Sequence, residues 1–340
     1  MKHRVVMLMV LFGLCVGHSQ AQNSPAVPAE SGSGFDARLS GYAYPFPTAT
    51  FALSSQQQSL EMSYMWLPGD AGKPVVVLLH GKNFNGAYWQ QTASMLAAQG
   101  YGVLMPDQIG FGKSSKPTAY QYSFAALAHH TRQLMAALQI ERAVMVGHSM
   151  GGMLATRFAL SYPEATERLV LVNPIGLENY LHYVAYQDVA FFNKMELQNS
   201  PAGIVAYQRK NYYDGNWSER YAALTEPLMG WVQGPDWPQL AKVSALTYDM
   251  IFTQPVVEEF ARLQVPTALI LGTRDRTGPG RQWQKPGVAY ELGRYDQLGD
   301  KVRQRNPAIQ LYELDGLGHL PHIEDFERFQ AALAQALSTP

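Results

Sequence analysis

The chain has 340 residues, 47% of them hydrophobic and 16% charged, which is enough to bury a large core in one or two domains and reads as a soluble globular protein. Its 26 basic and 27 acidic residues leave a formal charge of −1, so no electrostatic footprint for nucleic acid is present.

The first residues, MKHRVVMLMVLFGLCVGHSQAQ, join a basic start to an apolar run from Val5 to Val16 and small residues at Ser19 and Ala21. That pattern predicts an export signal over 1–21, cleaved after Ala21, and hence a periplasmic or secreted protein. About a dozen apolar residues are too few to cross roughly 30 Å of hydrocarbon, and no other window approaches a membrane-spanning helix, so no stable membrane anchor is expected after cleavage. The bulky Leu14 before Cys15 argues against a lipid anchor. Cleavage would remove Cys15, the only cysteine, and with it any disulfide or cysteine nucleophile. It would also remove Lys2 and Arg4 and no acids, taking the charge from −1 to −3.

Residues 22–47 are rich in Ser, Gly, Ala and Pro with little apolar periodicity, and predict a flexible arm. Two short runs between Phe51 and Leu67 suggest a small antiparallel start. KPVVVLLHG (73–81) then reads as a fully buried strand, because Val75–Leu79 is uninterrupted and mostly β-branched. A helix fits Ala87–Gln99, stopped by Gly100. The cycle repeats as strand 101–107, helix Tyr122–Leu138, strand 142–148, helix Met150–Ser161 and strand 168–174. After a long interruption come strand 266–272, a helix-like segment, strand 308–314 and a helix from Glu324 to about Leu337. Buried strands alternating with amphipathic helices predict an α/β fold, a largely parallel sheet covered on both faces. The core is thus expected over 48–176 and 263–340.

The interruption at 177–262 has no comparable strand and holds 15 aromatic residues, including Tyr183, Tyr212, Trp217 and Trp237. It reads as a helical cap with its own aromatic core, some of whose rings face a cleft.

Within VMVGHSMGGML (144–154), Ser149 sits in a G-x-S-x-G pattern that is weak alone. A buried strand precedes it and an apolar-faced helix (Met150, Leu154, Phe158) follows, the setting a nucleophile elbow requires. Gly147, Gly151 and Gly152 fit a turn in which a Cβ would crowd the neighbouring strand or helix. The competing reading is a serine capping the helix. A serine hydroxyl needs a base, and the base needs an orienting acid. His319, in LDGLGHLPHIED, follows the last strand in a Gly-rich loop, at the same carboxyl edge as Ser149; His322 is its rival. His80 and His148 end buried strands and read as structural or pocket-lining. Asp275, three residues past the penultimate strand, is the candidate acid, although Arg274 and Arg276 flank it as surface ion-pair partners would. Asp315 and Asp107 are the runners-up and Glu178 a remote one. Backbone N–H groups of Met150 and of Lys82, with Asn83 as the alternative, are the candidate oxyanion donors. Candidate pocket residues are His80, Asn83, His148, Tyr183 and Trp217.

Together HGKNFNG, DQIGFGKS, GHSMGG, GTRDRT and GLGHLPHIED resemble the α/β-hydrolase superfamily, from about residue 50 to the end. The resemblance implies an eight-stranded sheet, a helical cap inserted after the sixth strand, and catalytic roles for Ser149, Asp275 and His319. It also implies that Asp107, Gly110, Gly112 and Ser114 shape the loop under the site. Serine at the elbow argues against epoxide hydrolases and haloalkane dehalogenases, which use aspartate there. Proline iminopeptidase relatives carry cap acids that hold a substrate ammonium, and none of the ten acids here has a characteristic spacing. The expectation is a serine hydrolase, carboxylesterase-like, acting on apolar acyl or aryl esters as small-molecule substrates, with no metal or organic cofactor. Amide, carbon–carbon and lactone cleavage are the alternatives, and a binding module without turnover is a further one. The 273–308 connection has no assigned role.

Overall fold

A computed structural model describes residues 34–338. The expected export signal at 1–21 lies outside the described residues, as does the first part of the expected arm.

The chain opens with the hairpin β1 (Thr48–Ser55) and β2 (Gln58–Leu67), followed by β3 (Val75–Leu79), α1 (Gln90–Ala98), β4 (Gly102–Pro106), α2 (Phe124–Ala137), β5 (Ala143–His148), α3 (Met150–Ser161) and β6 (Thr166–Val172). Four helices intervene, α4 (Val189–Glu196), α5 (Pro201–Asn211), α6 (Glu219–Val232) and α7 (Trp237–Thr253), before β7 (Thr267–Gly272), α8 (Tyr295–Arg305), β8 (Gln310–Leu314), α9 (Pro321–Glu324) and α10 (Phe326–Ser338). One eight-stranded sheet results, in the order β1-β2-β4-β3-β5-β6-β7-β8. From β4 through β8 all neighbours pair in parallel, while β2 pairs with both β1 and β4 in antiparallel fashion.

The period-2 alternation of strand side chains divides the core into two layers. Met145 of β5 and Leu169 and Leu171 of β6 pack with Leu127 of α2 and Phe158 of α3 on one face. Val144, Val146, Val170 and Val172 of the same strands face Leu96 of α1 and Phe329 and Leu333 of α10 on the other. Each such fully buried side chain contributes about 2 kcal/mol by leaving water, so the central strands have no reason to be polar on either face. The parallel strands also end at one edge. The register Leu79↔Gly147 between β3 and β5 brings the loop after β3 beside the turn after β5.

The expectation of a flexible arm is corrected over residues 34–47, which pack against the fold. Leu39 is fully buried. The Phe35 amide donates to the Gly230 carbonyl at 2.8 Å, the Ala37 amide to Asp236 at 2.7 Å, and the Trp231 indole to the Asp36 carbonyl at 3.0 Å. The segment therefore joins α6 and the start of α7 to the core, where the Tyr44 hydroxyl donates to Asp107 Oδ2 at 2.7 Å. Backbone hydrogen bonds do this work, which is why a composition of Gly, Ser and Pro concealed it.

Asp107 is held as the resemblance implied. Its Oδ1 accepts from the Gly86 amide and its Oδ2 from the Lys113 amide, both at 2.7 Å. Gly112 has φ +48°, and a Cβ there would lie 2.1 Å from Asp107 Oδ2. The carboxylate is the internal template of this turn and is spent on it.

Candidate active site

Ser149 lies between β5 and α3 with φ 54° and ψ −122°, a left-handed backbone that L residues rarely adopt. The surroundings impose it. The Ser149 amide donates to the Val172 carbonyl at 3.3 Å, and the Ser149 carbonyl accepts from Gly152 at 2.9 Å and Ile175 at 3.2 Å. A Cβ at Gly147 would come within 2.2 Å of the Gly151 carbonyl, and one at Gly151 within 2.2 Å of the Leu79 carbonyl, so the strand-to-helix turn closes only with glycine at both positions. The hydroxyl does not cap α3. It points instead to His319, whose Nε2 lies 3.0 Å from Ser149 Oγ.

His319 is buried in the loop between β8 and α9, and its Nδ1 donates to Asp275 Oδ2 at 2.7 Å. Asp275 is fully enclosed. Burial pushes its carboxyl up, but the His319 interaction and the Thr277 hydrogen bonds outweigh it and hold the group below the usual carboxylate range. Asn173 Nδ2 donates to Asp275 Oδ2 at 2.9 Å, and the Thr277 amide to Oδ1 at 2.7 Å. The flanking arginines pair elsewhere, Arg274 with Glu324 and Arg276 with Asp296. Ser149, His319 and Asp275, separated by up to 170 positions, thus form one continuous hydrogen-bonded line.

The rivals have other partners. His322 is fully buried against Trp89, ring centroids 4.6 Å apart, and neither ring nitrogen has a hydrogen-bond partner among the described residues. Burial lowers its pKa to about 3. Asp315 accepts from the Thr273 hydroxyl at an exposed position, and Glu178 accepts from the Gly293 amide. The amides of Lys82 and Met150 have no acceptor among the described residues. Met150 opens α3, where the first amides of a helix are unpaired by construction.

A cavity of about 560 Å³ reaches Ser149. Phe84, Ile175, Phe192 and Tyr248 line it together with Glu196 and Gln208, so the wall is mixed rather than apolar. Of the five expected pocket residues, Asn83 lines this cavity, beside the oxyanion candidate Lys82, and the other four do not. His80 is buried below the loop, its Nε2 accepting from the Gln108 amide at 3.1 Å. His148 is buried behind His319. Tyr183 stacks on Tyr290 at 3.9 Å, and Trp217 packs edge-on against Tyr213. Both of these rings pack on a tyrosine instead.

Several contributors escaped the sequence reading. Asn173, at φ 36°, spans β6 and β7 by accepting from the Gly272 amide at 2.8 Å while donating to Asp275. Its signal was the Asn-Pro pair closing a buried strand, where a short amide tolerates the left-handed region. Tyr212, at the end of α5, stacks on His319 with centroids 4.8 Å apart and accepts from Asn83 Nδ2 at 3.3 Å. The Lys82 ammonium donates to Glu196 of α4 at 2.9 Å and to Ser244 of α7 at 2.6 Å. The cap helices therefore touch both His319 and the loop after β3. Residues 276–282 of the connection that had no role form part of the cavity wall.

Sheet order and converging side chains together define the α/β-hydrolase class. A family model described as the alpha/beta hydrolase fold matches residues 74–214. A probable hydrolytic enzyme from Pseudomonas aeruginosa PAO1 is 44% identical with a TM-score of 0.88, over 91% of this chain and 100% of that one. The chain belongs to the α/β-hydrolase family. Among curated relatives, an uncharacterized protein of Mycobacterium tuberculosis is 40% identical over 111 residues, 33% of this chain and 32% of that protein. The putative carbamate hydrolase RutD of Yersinia enterocolitica is 34% identical over 157 residues, 44% of this chain and 53% of that protein. The chain thus spans between about a third and a half of the length of these curated relatives.

The buried His322 makes a pH prediction. Its folded pKa of about 3 lies below the ordinary 6.5, so the unfolded chain takes up the proton first as pH falls. Stability present above 6.5 is therefore lost progressively down to about 3, by roughly 1 kcal/mol per pH unit. His322→Leu should reduce the slope of denaturant-measured stability against pH across that window by about this amount, and slopes parallel to wild type would contradict the assignment.

Proposed function

We propose that this protein is a serine hydrolase that cleaves a carboxylic ester through an acyl-enzyme on Ser149. The observation that carries the reading is the line from Ser149 Oγ through His319 to Asp275, beside two unpaired amides and open to a cavity. His319 Nε2 takes the Ser149 proton as Oγ attacks the ester carbonyl, and Asp275 stabilises the imidazolium. The carbonyl oxygen, now negative, accepts from the Lys82 and Met150 amides. Collapse expels the alcohol, which leaves with the proton from His319. Water then repeats the sequence on the acyl-enzyme, releasing the acid and restoring Ser149.

The mixed wall supports acyl or aryl groups that carry some polarity. A second reading, carbamate cleavage, has its own support. RutD is named a putative carbamate hydrolase. Gln208, buried in the cavity wall, has an amide whose Nε2 and Oε1 both lack partners among the described residues, and a carbamate offers a donor beside an acceptor.

Ser149→Ala should reduce turnover of an activated-ester series by about three orders of magnitude or more with folding intact, and Asp275→Asn should be nearly as severe. Steady-state kinetics on both variants checks this. Near-normal turnover in Ser149→Ala would remove the nucleophile, and faster wild-type turnover of matched aryl carbamates than of esters would favour the second reading. Export belongs to the same proposal. Amino-terminal sequencing of protein from the periplasm or medium should find Gln22 first, whereas an intact Met1 on cytoplasmic protein would contradict it.

A further inference from the structure

Behind the reacting groups lies a buried chain of hydrogen bonds that the proposed mechanism does not use. His148, the last residue of β5 and covalently next to Ser149, has its Nε2 2.8 Å from the His319 carbonyl oxygen and its Nδ1 2.9 Å from the Tyr88 hydroxyl. The Tyr88 hydroxyl in turn accepts from the Gly81 amide at 3.1 Å. Tyr88, His148 and His319 are all at least nine-tenths buried.

Chemistry fixes every proton in this chain. A carbonyl oxygen only accepts, so His148 Nε2 carries a hydrogen. His148 is neutral, because burial pushes its pKa well below the ordinary value and His322 and His319 push it the same way. Its Nδ1 is then a bare acceptor, and the Tyr88 hydroxyl must donate to it while accepting from Gly81. No donor faces a donor, and each ring atom has one partner. Around it His80, His319 and His322 supply the titratable neighbours, with Tyr88 and Trp89 against the ring.

We propose that His148 and Tyr88 are positioning residues that hold the base and the oxyanion loop in register with the nucleophile. One end of the chain fixes the backbone of His319. The other fixes Gly81, whose peptide bond leads directly to the Lys82 amide. His148, the link between the two ends, closes β5, the strand that leads directly into Ser149. Gly81 is tightly enclosed, since a Cβ there would lie 3.1 Å from the Ser149 Cβ and 3.2 Å from His148 Nδ1, so the loop has little room to move except by breaking this chain. Misplacement of a reacting group by about 1 Å can cost roughly a hundredfold in rate, which makes such registration worth its buried polar atoms.

The inference rests on the serine-hydrolase reading, and the test separates the two. Purified full-length chain is reacted with a fluorophosphonate, and the second-order rate of inactivation is measured for wild type, Tyr88→Phe, His148→Phe and His148→Gln, with melting curves for each. Tyr88→Phe and His148→Phe should slow inactivation by roughly tenfold or more. For ester turnover the same variants should lower kcat with KM little changed, a split that general loosening of the fold would not produce. His148→Gln, which can still donate to the His319 carbonyl, should recover much of the rate lost in His148→Phe. Rates within twofold of wild type in either phenylalanine variant would overturn the proposal. So would a His148→Gln variant as slow as His148→Phe. Should His148→Phe fail to melt cooperatively, Tyr88→Phe decides alone. Wild type that does not label, or Ser149→Ala that does, would instead sink the serine-hydrolase reading.

Discussion

The strained backbone of Ser149 is the constraint on which the rest depends. At φ 54° and ψ −122° the residue costs on the order of 1–3 kcal/mol relative to relaxed backbone, and the conformation persists only because its surroundings over-determine it. The surroundings are specific: the Val172 carbonyl of the adjacent strand, the amides of Gly152 and Ile175, and glycines at 147 and 151 that let backbone meet backbone. What the strain accomplishes is direction. A serine with ordinary helix-capping geometry would turn its hydroxyl onto the helix it precedes, whereas here the hydroxyl meets His319.

From that turn the parallel sheet does the remaining work. Loops after β3, β5, β7 and β8 leave from one edge, so the Lys82 amide, Ser149, Asp275 and His319 come together without any one segment carrying the whole site. Asn173 strengthens the arrangement by tying the ends of β6 and β7 and then contacting Asp275. The cap reaches the same groups. Tyr212 lies on the imidazole of His319, and Lys82, which lines the cavity, has its ammonium held by Glu196 and Ser244. The cap helices and the Ser149 line consequently share one set of contacts.

Much of this was legible in the sequence, for physical reasons that particular residues make plain. Val75–Leu79 and Ala143–His148 read as strands because both faces are buried and nothing polar interrupts them. Ser149, Asp275 and His319 were legible because each follows such a strand, and strand direction carries them to one edge. Residues 34–47 were not, because a segment held by backbone hydrogen bonds leaves no periodic side-chain signal. Nor was the direction of strand-end histidines: His80 and His148 occupy positions where a one-residue change of register would turn them toward the cleft, and they face inward instead. The cap was the least readable. Tyr183 and Trp217 look no different in sequence from Tyr212, and only packing shows which ring reaches His319.

In the proposed reaction Ser149 attacks a carbonyl whose oxygen is received by the Lys82 and Met150 amides. A crystal structure of the chain inactivated by a phosphonate tests it most directly. The expected structure has phosphorus bonded to Ser149 Oγ, with one phosphonyl oxygen about 2.7–3.1 Å from both amide nitrogens and His319 unmodified. A phosphonyl oxygen turned away from those amides, or an adduct on any other residue, would contradict it.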